Sequence, residues 1–201
     1  SDHEAISAVD QLLFDDPRLI TVLHHYGESM PTQLLVEGLL HPDFSRCYLA
    51  MQELLKCDVR ELWSAVESFW QEKAHNDYGA HYFLMRLFGL VEGWTNDALL
   101  QIHKILSDAI VDKRPQFRKS PPAALLSFAK LFPGQYNCFL DNCLSLDNSL
   151  GWDMRYAGLL LIQSDLSDHL QLRYHQQLQQ LVESDVDSLL QLKAQSVLDH
   201  G

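Results

Sequence analysis

The alternation of apolar and polar side chains that marks a half-buried strand is missing from this sequence, which leaves helices as its regular element. No apolar run approaches the roughly 18–20 residues of a membrane span. The start of the chain lacks the basic stretch and apolar segment of a secretory signal, and Ser1 in place of Met suggests a trimmed tag scar. Cytoplasmic location is the expectation. Cysteine is sparse: Cys47, Cys57, Cys138 and Cys143 sit among apolar residues and form no CxxC pair. A helical chain of this length does not need disulfides, so reduced thiols in or near the core are expected. Lys and Arg are few, 15 against 27 Asp and Glu, for a net charge of −12. Binding to long polyanions draws on clustered cations through counterion release, so nucleic acid is not the expected partner. An acidic surface suits protein partners, basic ones included. One basic run, Lys113, Arg114, Arg118 and Lys119, stands against that average.

Signatures of chemistry are absent too. No glycine-rich phosphate loop, dinucleotide fingerprint or nucleophile elbow is present. Ten histidines invite a metal search. The candidates are His75 and His81 with Asp77 between them, His24 and His25 with Glu28, and Asp165 with His169 and His175. A helical di-iron or zinc site needs carboxylate–histidine pairs on several helices, and these groups do not supply that set. No cofactor and no metal are expected.

What the sequence has is helical periodicity. The stretch from Ser149 to His200 reads as three helices, Leu150–Gln163, Asp168–Val182 and Val186–Asp199. In the middle one Leu170, Tyr174, Leu178 and Leu181 fall on one face, with glutamines opposite. The first is apolar nearly all round, which places it between neighbours. Ser167 and Ser184 with Asp185 are candidate N-caps. Upstream, helices are expected over Ala5–Phe14, Leu19–Tyr26, a stretch opened by Pro31 and carrying Leu34, Leu35, Val36 and Leu39, then Phe44–Leu55, Val59–Lys73, Tyr78–Val91, Asp97–Val111, Ala123–Phe132 and Tyr136–Leu146. Asp58 with Glu61 forms a capping box, and Asn76 with Asp77 and Thr95 are further caps. Lys113–Ser120 is the longest polar break.

Trp152, Asp153, Arg155 and Ala157, followed by an apolar run, a polar turn and a second amphipathic helix, resemble a HEAT-type repeat. Helix starts near Pro42, Asn76, Pro121 and Leu150 recur at about 30 to 45 residues, the spacing of such units. The expected fold is all-α, with HEAT-like hairpins stacked in a short α-solenoid. A compact irregular multi-helix bundle is the alternative. One domain over 1–201 is expected, with a soft break at 113–120.

Tryptophans mark candidate binding residues. Trp63 and Trp70 share a face and read as core. Trp94 with Asp97, and Trp152 with Asp153 and Arg155, stand at helix starts, where aromatics at repeat edges line a concave surface. Val59 to Trp63, the helix through Phe88, Trp94 with Asp97, and Trp152 with Arg155 also resemble the HEAT-like alkylpurine DNA glycosylases. That resemblance implies lesion recognition by tryptophan and aspartate, carried here by Trp94 and Asp97. The expected function is a non-catalytic protein-binding module of adaptor, chaperone or immunity type, with an acidic and aromatic concave face. A divergent glycosylase acting on alkylated bases and a helical metal-dependent oxidase are the alternatives. The oligomeric state is not legible.

Overall fold

The computed structural model describes residue 16 and residues 32–146, 151–165, 169–185 and 187–199. Every regular element among them is helical. The helices expected over Ala5–Phe14 and Leu19–Tyr26, the pair His24 and His25, and the cap expected at Ser167 lie outside the described residues. The chain divides into two units, the first ending at Ile102 and the second beginning at His103.

Four capping side chains set the helix starts of the first unit. Asp43 accepts the Ser45 amide at 2.8 Å and opens α2 (Phe44–Leu54). Asp58 accepts the Arg60 and Glu61 amides at 2.9 and 3.3 Å and opens α3 (Val59–Phe69). Asp77 accepts the Ala80 amide at 2.8 Å and opens α4 (Tyr78–Leu90). Thr95 Oγ1 accepts the Ala98 amide at 3.3 Å and opens α5 (Asn96–Ile110). Each satisfies amide donors that the first helical turn leaves without partners. The short α1 (Thr32–Glu37) precedes them and tightens into a 3₁₀ turn over Gly38–Leu40. It packs on α2 and α3, and α2 packs on α4.

The helix expected over Val59–Lys73 is α-helical only to Phe69 and widens into a π turn over Trp70–Ala74. Trp70 there, expected in the core with Trp63, is half-buried as Trp63 is, with its ring 5.2 Å from that of the buried His81. α4 buries nine of its 13 residues, so it is an inner helix, as its almost wholly apolar sequence requires. Gly79 lets it approach α2 closely, since a Cβ there would meet Phe44 Cε1 at 3.3 Å. Met51, Leu54, Leu62, Leu84, Leu87 and Phe88 close this core with essentially no exposure. Each such side chain contributes about 1.5–3 kcal/mol by leaving water.

The second unit is built around α8 (Trp152–Gln163), which packs against α6 (Ser120–Leu131), α7 (Asn137–Cys143), α9 (His169–Arg173) and α11 (Ser188–Asp199). Gly158 sits against Cys143 and Leu144, where an added Cβ would meet atoms at 3.3 and 3.2 Å. α10 (His175–Ser184) pairs with α11. The single helix expected over Asp168–Val182 is interrupted at Tyr174, with φ −102° and ψ 14°. Tyr174 is buried, and its hydroxyl donates to the Asn137 carbonyl at 3.2 Å. The ring turns inward toward α7 at this interruption, which no glycine or proline announces, while the Tyr174 amide still donates to the Leu170 carbonyl at 2.9 Å. The N-cap of α11 is Asp187, not Ser184 or Asp185: its carboxylate accepts the Leu189 and Leu190 amides at 2.9 and 3.2 Å. The polar break at Lys113–Ser120 holds a 3₁₀ turn, Pro115–Phe117, pinned by the buried Phe117 with the Arg114 guanidinium 3.8 Å from its ring centre.

Candidate functional site

The tryptophans and their neighbours divide between interior and surface. Trp94 is buried, with its indole N–H donating to the Phe88 carbonyl at 3.0 Å. It meets Trp63 edge-on at 5.9 Å and Phe88 at 6.2 Å. An indole so enclosed and hydrogen-bonded holds the α3–α4 packing and offers no face to a ligand. Asp97 is exposed in the first turn of α5, where a carboxylate interacts favourably with the helix dipole. The burial of Trp94 thus leaves Asp97 as the exposed member of that pair.

Trp152, Asp153 and Arg155 share the start of α8. Trp152 and Asp153 are exposed, and Trp152 stacks on Tyr156 at 4.9 Å and 13°. Arg155 points the other way. It is buried, and its Nε lies 2.8 Å from Oδ2 of the buried Asp185, in the turn between α10 and α11. The pair is close, but the two atoms are not aligned as a hydrogen bond, so attraction of charges out of water is its main term. Asp185 Oδ1 also accepts the Asp187 amide at 3.0 Å, and its carbonyl accepts the Gln191 side chain at 2.8 Å. Arg155 is a strap between α8 and the α10–α11 turn rather than a surface contact.

Asp187 belongs to the same cluster. Its carboxyl is held below the usual carboxylate range, chiefly by the Leu190 amide, with help from the Trp152 side chain, the Leu189 amide and the charge of Arg155, and against the cost of desolvation. A depressed folded value stabilises the fold above the unfolded carboxylate pKa of about 3.9, and that contribution is lost as pH falls through the folded value. Asp187→Asn keeps a capping oxygen but not the charge. Urea melts are expected to show the wild type more stable than Asp187→Asn at pH 7, with the gap closing in acid below about 3.9. A gap that stayed constant down to the acid limit would remove this account of Asp187.

The thiols fall into two groups. Burial pushes Cys47 up to about 11 and Cys143 up to about 12, which keeps both protonated at neutral pH. Cys138, expected in or near the core, is exposed instead, and Cys57 is half-buried. Glu72 and His75 stand three residues apart, but Glu72 accepts the Ser68 hydroxyl and His75 Nδ1 contacts the Trp70 carbonyl. Among the described residues no group of three His, Cys, Asp or Glu is placed to hold a metal ion.

A second surface, not legible by motif, lies on α2 and α4. Phe44 sits 5.9 Å from Tyr78, 6.4 Å from Tyr82 in a stacked arrangement, and 5.5 Å from Phe83. Arg86 places its guanidinium 5.9 Å from the centre of the Tyr48 ring and 5.7 Å from that of Tyr82, and donates to the Tyr82 hydroxyl at 3.3 Å. Tyr48 and Tyr78 are exposed, at 45% and 53%. No Asp or Glu among the described residues forms an ion pair with Arg86. The signal that could have found it is the four-residue step from Tyr78 to Tyr82 to Arg86, echoed by Phe44 and Tyr48. Such a face offers conjugated rings, phenol hydroxyls and one cation.

Among the described residues no helix is long and apolar enough to cross a membrane. No family model matches the sequence, and no solved structure matches it. Two curated relatives do. The chain is 36% identical over 197 residues, 98% of its length, to the bilin biosynthesis protein CpeY of Synechococcus sp. (strain WH8020). It is 30% identical over 155 residues, 77% of its length, to an uncharacterized phycocyanin operon protein Y of Pseudanabaena tenuis (strain PCC 7409). The chain spans 47% of the first relative and 35% of the second.

Proposed function

We propose that this chain is a HEAT-like helical binding module acting in bilin biosynthesis, where it docks a protein that receives or carries the pigment. The observation that carries the reading is the similarity to the bilin biosynthesis protein, which runs through 98% of the chain and therefore through both helical units. The helical architecture is consistent with it, because stacked hairpins present long surfaces suited to a macromolecular partner. The exposed Trp152 and Asp153 supply one such surface, in the second unit. Aromatic residues are favoured at the centres of protein interfaces, where they bury much area with little loss of side-chain freedom.

Two probes test the reading together: biliverdin, an open-chain tetrapyrrole, and a phycocyanin apoprotein immobilised on a surface. The purified chain is expected to change the long-wavelength absorption of biliverdin, to be retained by the apoprotein, or both. A chain that does neither, across low and physiological salt, has no place in bilin handling and the reading falls.

A further inference from the structure

Resting on that reading, we infer that the α2–α4 face is a seat for an open-chain tetrapyrrole, with Arg86 taking a propionate carboxylate and Tyr48, Tyr78 and Tyr82 lying against the conjugated rings. The chemistry of the pigment and of the face match term by term. A bilin is a flat conjugated molecule carrying two carboxylates. On the face, Tyr78 and Tyr82 both lie within stacking distance of Phe44, and the Arg86 guanidinium lies against the rings of Tyr82 and Tyr48.

Arg86 has the features required of a carboxylate anchor. Its planar fork can hold a carboxylate by two parallel hydrogen bonds, which a lysine cannot do. It is half-buried against the tyrosine rings, so its rotamer freedom is already restricted. Its present partners are two aromatic faces and a hydroxyl, and cation–π contacts at a half-buried site are worth about 0.5–2 kcal/mol each. A ligand carboxylate offers more, so the guanidinium can exchange partners at little cost. On a chain of net charge −12 that cation would ordinarily be matched by a nearby carboxylate, yet the described residues place none on it.

The tyrosines are spaced for an extended ligand. Tyr78, Tyr82 and Arg86 advance four residues at a time along α4, about 6 Å per step at the helical rise. The platform therefore runs about 12 Å along α4, and Tyr48 adds width from α2. Stacked and tilted aromatic pairs of this kind add to area burial through ring quadrupoles.

The test is an absorbance and fluorescence titration of the full chain with biliverdin and with its dimethyl ester, in the wild type and in Arg86→Ala, Arg86→Lys and Tyr48→Ala. Retention on the phycocyanin apoprotein is measured in parallel, and circular dichroism confirms folding. The wild type is expected to bind biliverdin about tenfold more tightly than Arg86→Ala, the scale of one charge-assisted contact. Arg86→Lys should recover only part of that. The dimethyl ester should bind the wild type as weakly as biliverdin binds Arg86→Ala, and the substitution should not weaken the ester further, as a coupled pair requires. Tyr48→Ala should weaken both pigments alike. If the wild type binds biliverdin and the variants bind it equally well, the seat is elsewhere and the inference is overturned while the bilin reading stands. The same holds if the apoprotein is retained but no pigment responds, or if Arg86→Ala lowers retention alone, which would make the face a protein contact. Loss of both pigment and apoprotein binding in the wild type removes the reading itself.

Discussion

Replacing Asp185 by alanine is expected to destabilise the second unit by about 3–5 kcal/mol, the usual cost of leaving one member of a buried ion pair alone. Arg155 and Asp185 have side chains only 9% and 0% exposed, and their closest atoms are 2.8 Å apart. Without its partner the guanidinium must either stay charged out of water or drag α8 outward to reach solvent, and both disrupt packing against α11. The Asp185 carboxylate also accepts the Asp187 amide, so the turn leading into α11 loses a second contact. Arg155→Ala should cost a similar amount. The double replacement Arg155→Met with Asp185→Leu should be far milder than either single change, because the desolvated charges leave together. Urea denaturation of the four proteins measures this. A double variant as unstable as the singles would mean that shape, not charge, holds the α8 start to the α10–α11 turn.

Trp94→Ala is expected to have an effect of the same size, about 3–5 kcal/mol, through the cavity left by a large buried ring. The indole also satisfies the Phe88 carbonyl near the end of α4, and its ring meets Trp63 and Phe88. Trp94→Phe keeps part of the volume and loses the donor, so a loss of about 1–3 kcal/mol is expected where the carbonyl is left without a partner. Thermal melts distinguish this role from a surface role. A Trp94→Ala protein with an unchanged melting temperature and impaired binding would return Trp94 to a ligand-facing position.

Local signals in the sequence were sufficient for much of the fold. Asp58, Asp77 and Thr95 each precede an apolar-periodic run, and each caps the helix that follows. The apolar girths of α4 and α8 placed them as inner helices because such a surface has nowhere else to go. Features that depend on distant partners were not legible. Nothing near Arg155 in sequence distinguishes a surface cation from a buried strap, since the partner Asp185 belongs to another helix pair. The break at Tyr174 coincides with a buried ring whose hydroxyl reaches Asn137, a partner far away in sequence, and no breaker residue marks it. Tyr48 and Arg86 become neighbours only when α2 lies on α4, so their shared face has no linear motif. Trp94 looked like a site because tryptophan at a helix start is conspicuous, and its burial follows from the Phe88 carbonyl and the Trp63 ring, which sequence spacing does not reveal.

The closeness of Gly79 to Phe44 makes the α2–α4 seam a gauge that sets the pitch of everything mounted above it. A single methyl there would require Phe44 to give by a few tenths of an ångström, and Phe44 is the ring on which Tyr78 and Tyr82 lean. The outward-facing tyrosines are thus calibrated from beneath, by an atom that is not there.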